Sequence, residues 1–286
     1  MSSSQLMVLL LWKKPVRLNN AGPIPKNSAR SLETNLNKPL YAVFLYLMDN
    51  FIEFPLSIKC VALTTTTDLG NMAYQVDDGK GVKERREILA NLLSIDLNRF
   101  VFVHQHHSDE IQKVTKADLG KGMNRFEDGV DVDALYTYEK KVPLCIFHAD
   151  CVPIFFIDEK KSLVGIIHAG YRGTLKHVTY KTVKKVIEDE NLDIKNLKFF
   201  IGPYRLLGSF PISADNLREI KEAELEDAII NKHFDTGYAN VLDLLKLGIQ
   251  SHQINVDFLD TIQDERFYSA YQKTPVGRMV SLIYLR

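Results

Sequence analysis

Two apolar runs separated by a short charged turn constrain this chain most. Residues 152–157 read VPIFFI, residues 163–167 read LVGII, and DEKKS lies between them. Runs of this length, rich in Val, Ile and Phe and bounded by a polar turn, predict two buried strands joined as a hairpin. A hairpin sets the start of its first strand beside the end of its second. The start carries Asp150 and Cys151. The end carries His168, followed by Gly170, Arg172 and Gly173. A thiol and an imidazole far apart along the chain thus become neighbours, which points to a metal site or a Cys–His nucleophile.

The rest of the chain fills in the fold class. Strand character is expected at 41–48, 51–62, 100–103, 199–201, 256–259 and 279–285. The run of threonines at 64–67 is expected either to continue a strand or to form a surface loop. Helices are expected at 82–93 (with Ile88, Leu89, Leu92 and Leu93 inward), 174–191, 215–232 and 241–250. Strands and helices mix without strict alternation, so the expected class is α+β with mixed sheets rather than a doubly wound parallel sheet. Three prolines before position 26 exclude a regular helix there. Residues 1–39 are therefore expected to form an irregular arm, and residues 40–286 a single domain.

Composition excludes several function classes. The 36 basic and 36 acidic residues cancel, so nothing points to nucleic acid or a membrane surface as a charge-driven partner. The apolar runs at 6–12 and 40–48 fall short of the roughly 20 residues that span a bilayer. No basic residue precedes the first run, so a signal peptide is not expected. Three cysteines, an odd number, argue against a disulfide framework and for a reducing, cytoplasmic compartment. Cys60 and Cys145 sit in apolar runs and read as small buried hydrophobes.

Three histidines lie close to the hairpin chemistry in kind. In an extended segment His104 and His106 share one face, and His107 shares the other with Gln105. Either face can join Cys151 and His168. One Cys and two His supply three ligands, which suits Zn²⁺ with an open fourth position for water or substrate. The plainer alternative is a set of ordinary polar residues at strand ends, and His148 reads as a site-lining residue or a spacer. After His168, Gly170 and Gly173 permit a tight turn. The start of the following helix with Arg172 is expected to suit an oxyanion or phosphate.

Together these residues resemble the multicopper polyphenol oxidase, or laccase-domain (YfiH-like), family. Its signatures Q-V-H-G, A-D-C-V-P and H-A-G-W-R-G stand here as Gln105-His106-His107-Ser108, Ala149-Asp150-Cys151-Val152-Pro153 and His168-Ala169-Gly170-Tyr171-Arg172-Gly173. Asp133-Ala134-Leu135, Asn71 with Val76–Asp78, Ile201-Gly202-Pro203 and Gly277-Arg278 extend the likeness over roughly residues 60–286. The resemblance implies an α+β fold of packed mixed sheets with helices outside. It implies zinc ligands at His107, Cys151 and His168, which selects among the clustered histidines. It also implies phosphorolysis of adenosine, inosine, guanosine and S-methyl-5'-thioadenosine, and deamination of adenosine. Nucleoside and phosphate would be the small-molecule partners. Arg172, Gly173 and Asn71 are the expected substrate contacts, and Asp150 is a proton carrier or an orienting group.

The chain departs from the family pattern at the rim of the site. Tyr171 replaces Trp, Asp260 replaces a Cys, and Phe210-Pro211 replaces a Tyr-Glu pair. The pattern S-[YH]-R-R appears as Ser269-Ala270-Tyr271-Gln272, without either arginine. Three other functions are weighed against the phosphorylase: a copper-dependent oxidase, a metal-free cysteine hydrolase using Cys151 and His168, and a non-catalytic zinc-binding relative. Eight histidines with one H-x-H are few for a multicopper centre.

Overall fold

A computed structural model describes residues 50–76, 79–272 and 276–286. The expected arm at 1–39, the apolar run at 6–12 and the strand at 41–48 lie outside the described residues. In chain order the strands are β1 (Phe51–Glu53), β2 (Cys60–Thr65), β3 (Val101–Phe102), β4 (Ile111–Lys113), β5 (Ala134–Thr137), β6 (Leu144–His148) and β7 (Val152–Asp158). They continue with β8 (Leu163–Ala169), β9 (Leu197–Ile201), β10 (Ile229–Ile230), β11 (His233–Phe234), β12 (Ile254–Val256) and β13 (Met279–Leu285). The α-helices are α1 (Val82–Leu93), α2 (Tyr171–Leu175), α3 (Val178–Glu190), α4 (Ala214–Glu222) and α5 (Thr236–Lys246).

The strands form two mixed sheets of order β1-β2-β13-β6-β3 and β12-β9-β7-β8-β5-β4, with β10 and β11 a separate ribbon. The class is α+β, as the element pattern implied. The hairpin β7–β8 lies inside the second sheet, with Val152 opposite Ala169 and Pro153 opposite His168. Its alternate residues Phe155, Ile157, Val164 and Ile166 meet Leu63, Ile146 and Leu282 of the first sheet in one apolar core. Each such side chain contributes about 1.5–3 kcal/mol on burial. On the other face Phe156 packs over Gly165, where a Cβ would lie 2.1 Å from the ring. Helix α3 packs against β8 and α5, through the buried stripe Val178, Val183 and Val186.

Several local expectations change. The segment 51–62 is a hairpin rather than one strand, because Pro55 and the turn after it separate β1 from β2. Thr64, Thr65 and Thr66 are buried rather than on the surface. Thr64 bonds to Ser281 across the sheet at 2.6 Å, which satisfies its hydroxyl. In α1, Ile88 is exposed and Arg86 takes the buried face. Its guanidinium donates to the carbonyls of Met72, Gly122 and Met123, groups that burial would otherwise leave unpaired. The helix expected at 174–191 is broken: His177 adopts φ 57, between α2 and α3. There its ring bonds to Asp243 at 2.7 Å and to the Ala223 carbonyl at 2.8 Å. The helix expected at 215–232 stops at Glu222, because Glu224 turns to φ 54 and buries Leu225. The helix expected at 241–250 begins earlier, at Thr236, where the Asp235 side chain caps the Tyr238 N–H.

Candidate metal centre

The centre forms where three chain segments meet at one end of the hairpin. Cys151 immediately precedes β7 and His168 is the penultimate residue of β8. His107 arrives by a different route from the alternation expected of a strand. The chain leaves β3 after Phe102, and His107 itself sits at φ 62 in the loop beyond. The left-handed backbone turns this ring, rather than its neighbours, toward the cysteine. His104 and His106 point elsewhere, and both approach Asp131, at 3.1 and 3.2 Å.

The donor atoms of His107, Cys151 and His168 lie within 4.8 Å of one another. His107 Nε2 is 3.9 Å from Cys151 Sγ. Asp133 organises both histidines. Its carboxylate accepts His168 Nδ1 at 2.7 Å and the backbone N–H groups of His106, His107 and Ser108 at 3.2, 3.0 and 2.6 Å. Binding Nδ1 leaves His168 Nε2 free for the cluster, the second-sphere arrangement common around metal-bound histidines. Asp133 is fully buried. Burial alone would raise its pKa, yet His168 and the N–H donors hold it well below the usual carboxylate range. The motif Asp133-Ala134-Leu135 was visible in sequence, but nothing there revealed this role.

The electrostatics favour an anionic sulfur. Burial opposes the thiolate, but His168 and His107 outweigh it and bring Cys151 down to about 6. Burial likewise opposes a charged His168, while the Cys151 thiolate and Asp133 raise it to about 9. Cys60 and Cys145, buried and away from such partners, go the other way; burial pushes Cys60 up to about 12. Shape also fits a metal. Gly170 closes over the cluster so tightly that a Cβ there would lie 2.4 Å from His107 Cδ2, 2.7 Å from its Nε2 and 3.0 Å from Cys151 Sγ. The missing side chain leaves room beside three convergent soft and borderline donors, a set suited to zinc or copper.

A cavity of about 340 Å³ opens from this cluster, at the lower end of small-molecule sites, roughly 300–1,000 Å³. Its walls include Tyr171, Arg172, Arg205, Phe210, Thr236 and Tyr271. Tyr171 packs against Phe210 and Phe234 and donates its hydroxyl to Glu219 at 2.8 Å. Arg172 is exposed at the rim. The anion site expected at the start of a long helix is altered, because α2 has only five residues and sums few backbone dipoles. What remains there is the Arg172 side chain.

The other expected contacts fall differently. Asp150 lines the cavity at φ 82. Its two oxygens accept the Thr261 hydroxyl and the Ala270 N–H, each at 2.7 Å. Gly173 is buried and does not line the cavity; a Cβ there would lie 3.4 Å from Val178 and 3.6 Å from the Ser108 carbonyl oxygen. Asn71 is buried outside the cavity. It bonds to the Ala73 and Val76 carbonyls and accepts the Arg278 N–H. His148 is buried and bonds to Ser281 at 2.7 Å. Arg205 was not singled out from sequence; the turn after Ile201-Gly202-Pro203 carries no pattern that marks it.

Comparison with known proteins gives a consistent relationship. Residues 63–286 match the family described as multi-copper polyphenol oxidoreductase laccase. The chain is 33% identical over 226 residues to a Bacillus subtilis protein named purine nucleoside phosphorylase YlmD, covering 73% of this chain and 79% of that one. It is 31% identical to a Staphylococcus saprophyticus protein named purine nucleoside phosphorylase, covering 74% and 84%. Among solved structures, Bacillus licheniformis hypothetical protein YfiH superposes with a TM-score of 0.77 at 28% identity, over 83% of this chain and 97% of that one. YlmD from Geobacillus stearothermophilus gives 0.74 at 30% identity, over 82% and 94%.

Proposed function

This chain belongs to the multi-copper polyphenol oxidoreductase laccase family, and from that premise we propose that it is a zinc-dependent purine nucleoside phosphorylase. The observation that carries the reading is the His107–Cys151–His168 cluster, two of whose members, His107 and Cys151, line a cavity walled by two arginines and several aromatic rings. The relatives named purine nucleoside phosphorylase support the reaction class. The proposed substrates are adenosine, inosine, guanosine and S-methyl-5'-thioadenosine, with inorganic phosphate as the acceptor of the glycosyl group. Adenosine deamination is proposed as a second reaction of the same site.

His107, Cys151 and His168 would hold the zinc, which supplies Lewis-acid polarisation of a substrate oxygen. Asp133 fixes the His168 ring and the His107 loop at once. Arg172, exposed at the mouth, offers charge-assisted hydrogen bonds to phosphate. Tyr171 and Phe210 present ring faces to a base or sugar. Asp150 acts by positioning: its bonds to Thr261 and Ala270 tie the turn before Cys151 to the C-terminal segment. With both oxygens so engaged, it is poorly placed to carry the proton that deamination needs.

One other reading has an observation of its own. Cys151, with its pKa brought down to about 6 beside His168, has the character of a metal-free cysteine nucleophile. A multicopper oxidase needs more ligand clusters than the single His–Cys–His group found among the described residues. Chelation and alkylation separate these cases. The phosphorylase reading expects activity to be lost with zinc and restored by it. Activity that survives complete demetallation and is abolished by Cys151 alkylation supports the hydrolase. Turnover supported by copper alone, with oxygen consumed, supports the oxidase.

A further inference from the structure

Arg205 is the unusual group in the cavity wall. Its side chain is buried, with 8% exposure, yet it pairs with no carboxylate among the described residues. Its Nε donates to the Ser209 carbonyl at 2.6 Å, and its backbone N–H to the Asp150 carbonyl at 3.0 Å. Among the described residues the Nη nitrogens make no hydrogen bond. The guanidinium lies 3.7 Å from the Tyr271 ring centroid and 4.5 Å from that of Phe210. Two aromatic faces and one carbonyl fix its orientation and offset part of the cost of burying the charge. They leave the outer edge of the fork unused. The unpaired Nη atoms are not sealed in the interior, and a fork with free N–H donors on a cavity wall matches an oxyanion.

We propose that Arg205 is the buried half of a phosphate-binding pair, with Arg172 as the exposed half. This rests on the phosphorolysis reading and adds a residue to it. Both arginines line the cavity that contains His107 and Cys151, so an anion held between them lies beside the metal cluster. Asp150, the acid among the lining residues, has both carboxylate oxygens bonded to Thr261 and Ala270 and forms no ion pair with either arginine. Tyr271 stands where the S-[YH]-R-R pattern carries its first arginine. The charge lost from the C-terminal segment is thus returned from the turn after β9, by a side chain that stacks on the replacement tyrosine. Tyr271 itself is 65% exposed, which places it as a cover over Arg205 rather than as a core residue.

The test is calorimetric titration of inorganic phosphate into the full chain, run for wild type, Arg205→Gln, Arg205→Lys and Tyr271→Ala, with initial rates of purine base release measured against phosphate and nucleoside separately. Loss of a charge-assisted pair predicts a 10- to 150-fold weaker phosphate affinity for Arg205→Gln, to order of magnitude about that range. The nucleoside KM should change much less. Arg205→Lys keeps the charge and stem but not the fork, so part of the affinity should return. If the Gln variant fails to fold, the Lys and Tyr271→Ala variants decide: weakened phosphate binding supports the pair, and unchanged binding in both overturns it. Wild type that binds phosphate through Arg205 but releases no base would sink phosphorolysis and leave the anion site standing. Wild-type affinity in Arg205→Gln, or no phosphate binding by wild type, would overturn the assignment while leaving the metal centre untouched.

Discussion

Gly170→Ala isolates the geometry of the metal centre from its chemistry. Gly170 has φ −75 and ψ 172, an extended conformation that alanine adopts without strain. The backbone therefore has no reason to move, and the added methyl acts only by contact. It would sit 2.4 Å from His107 Cδ2 and 3.0 Å from Cys151 Sγ, whereas carbon atoms rest at about 3.5–4.0 Å. The His107 ring must then shift by about 1 Å, away from the position it shares with Cys151 and His168. Misplacing groups that orient metal ligands typically costs about 10- to 100-fold in metal affinity, or about 1.4–2.8 kcal/mol. Folding stability should fall only modestly, because the gain of about 0.4–1 kcal/mol from replacing glycine at a compatible φ/ψ offsets part of the roughly 1–3 kcal/mol that overpacking costs. The assay is a zinc competition titration against a chromophoric chelator, with thermal unfolding of the metal-free protein as the control. Wild-type zinc affinity in Gly170→Ala, with unchanged stability, would refute the placement of His107 in the site.

Further predictions bear on the same residues. Cys151→Ala should abolish stoichiometric zinc while leaving the fold largely intact, and replacing His107 should cost far more metal than replacing His104; mass-spectrometric metal analysis of the purified variants reads both. In metal-free protein, iodoacetamide should label Cys151 alone, because burial holds Cys60 and Cys145 protonated. A lowered pKa means the thiolate persists as pH falls, so the rate should stay high down to about pH 6; a midpoint near the ordinary thiol value of about 8.5 would remove the proposed His–thiolate pairing. Arg172→Ala should raise the phosphate requirement of base release by roughly 10- to 150-fold without changing zinc content, since a charged arginine is no ligand. An unchanged phosphate dependence would reduce Arg172 to a surface role.

The parts of this structure that were legible in sequence are those set by local pattern. The β7–β8 hairpin follows from two β-branched and aromatic runs around a charged turn, and its register then brings Cys151 and His168 together with no further information. The choice of His107 was not legible from periodicity. Alternation applies within a strand, and the strand ends at Phe102; a single left-handed residue in the following loop decides which ring turns inward. Family motifs supplied that choice because they record the loop as a unit. The break at His177 was hidden because residues 174–191 keep a helical stripe on both sides of it. At the break the His177 ring bonds to Asp243, which comes from α5. Arg205 was hidden in part for the same kind of reason: Ser209 and Phe210 lie close to it in sequence, but Tyr271, which stacks on its guanidinium, comes from the far C-terminal segment. Long-range partners of polar groups leave no periodic trace in sequence.

The most direct test of the central claim is the rate of free purine base release from inosine, measured across a phosphate titration on metal-stripped protein before and after reconstitution with one equivalent of zinc. Negligible release is expected without zinc, and release that rises with phosphate to saturation once zinc is restored. Release that survives complete demetallation, or that proceeds in the reconstituted protein at the same rate without phosphate, would contradict that expectation.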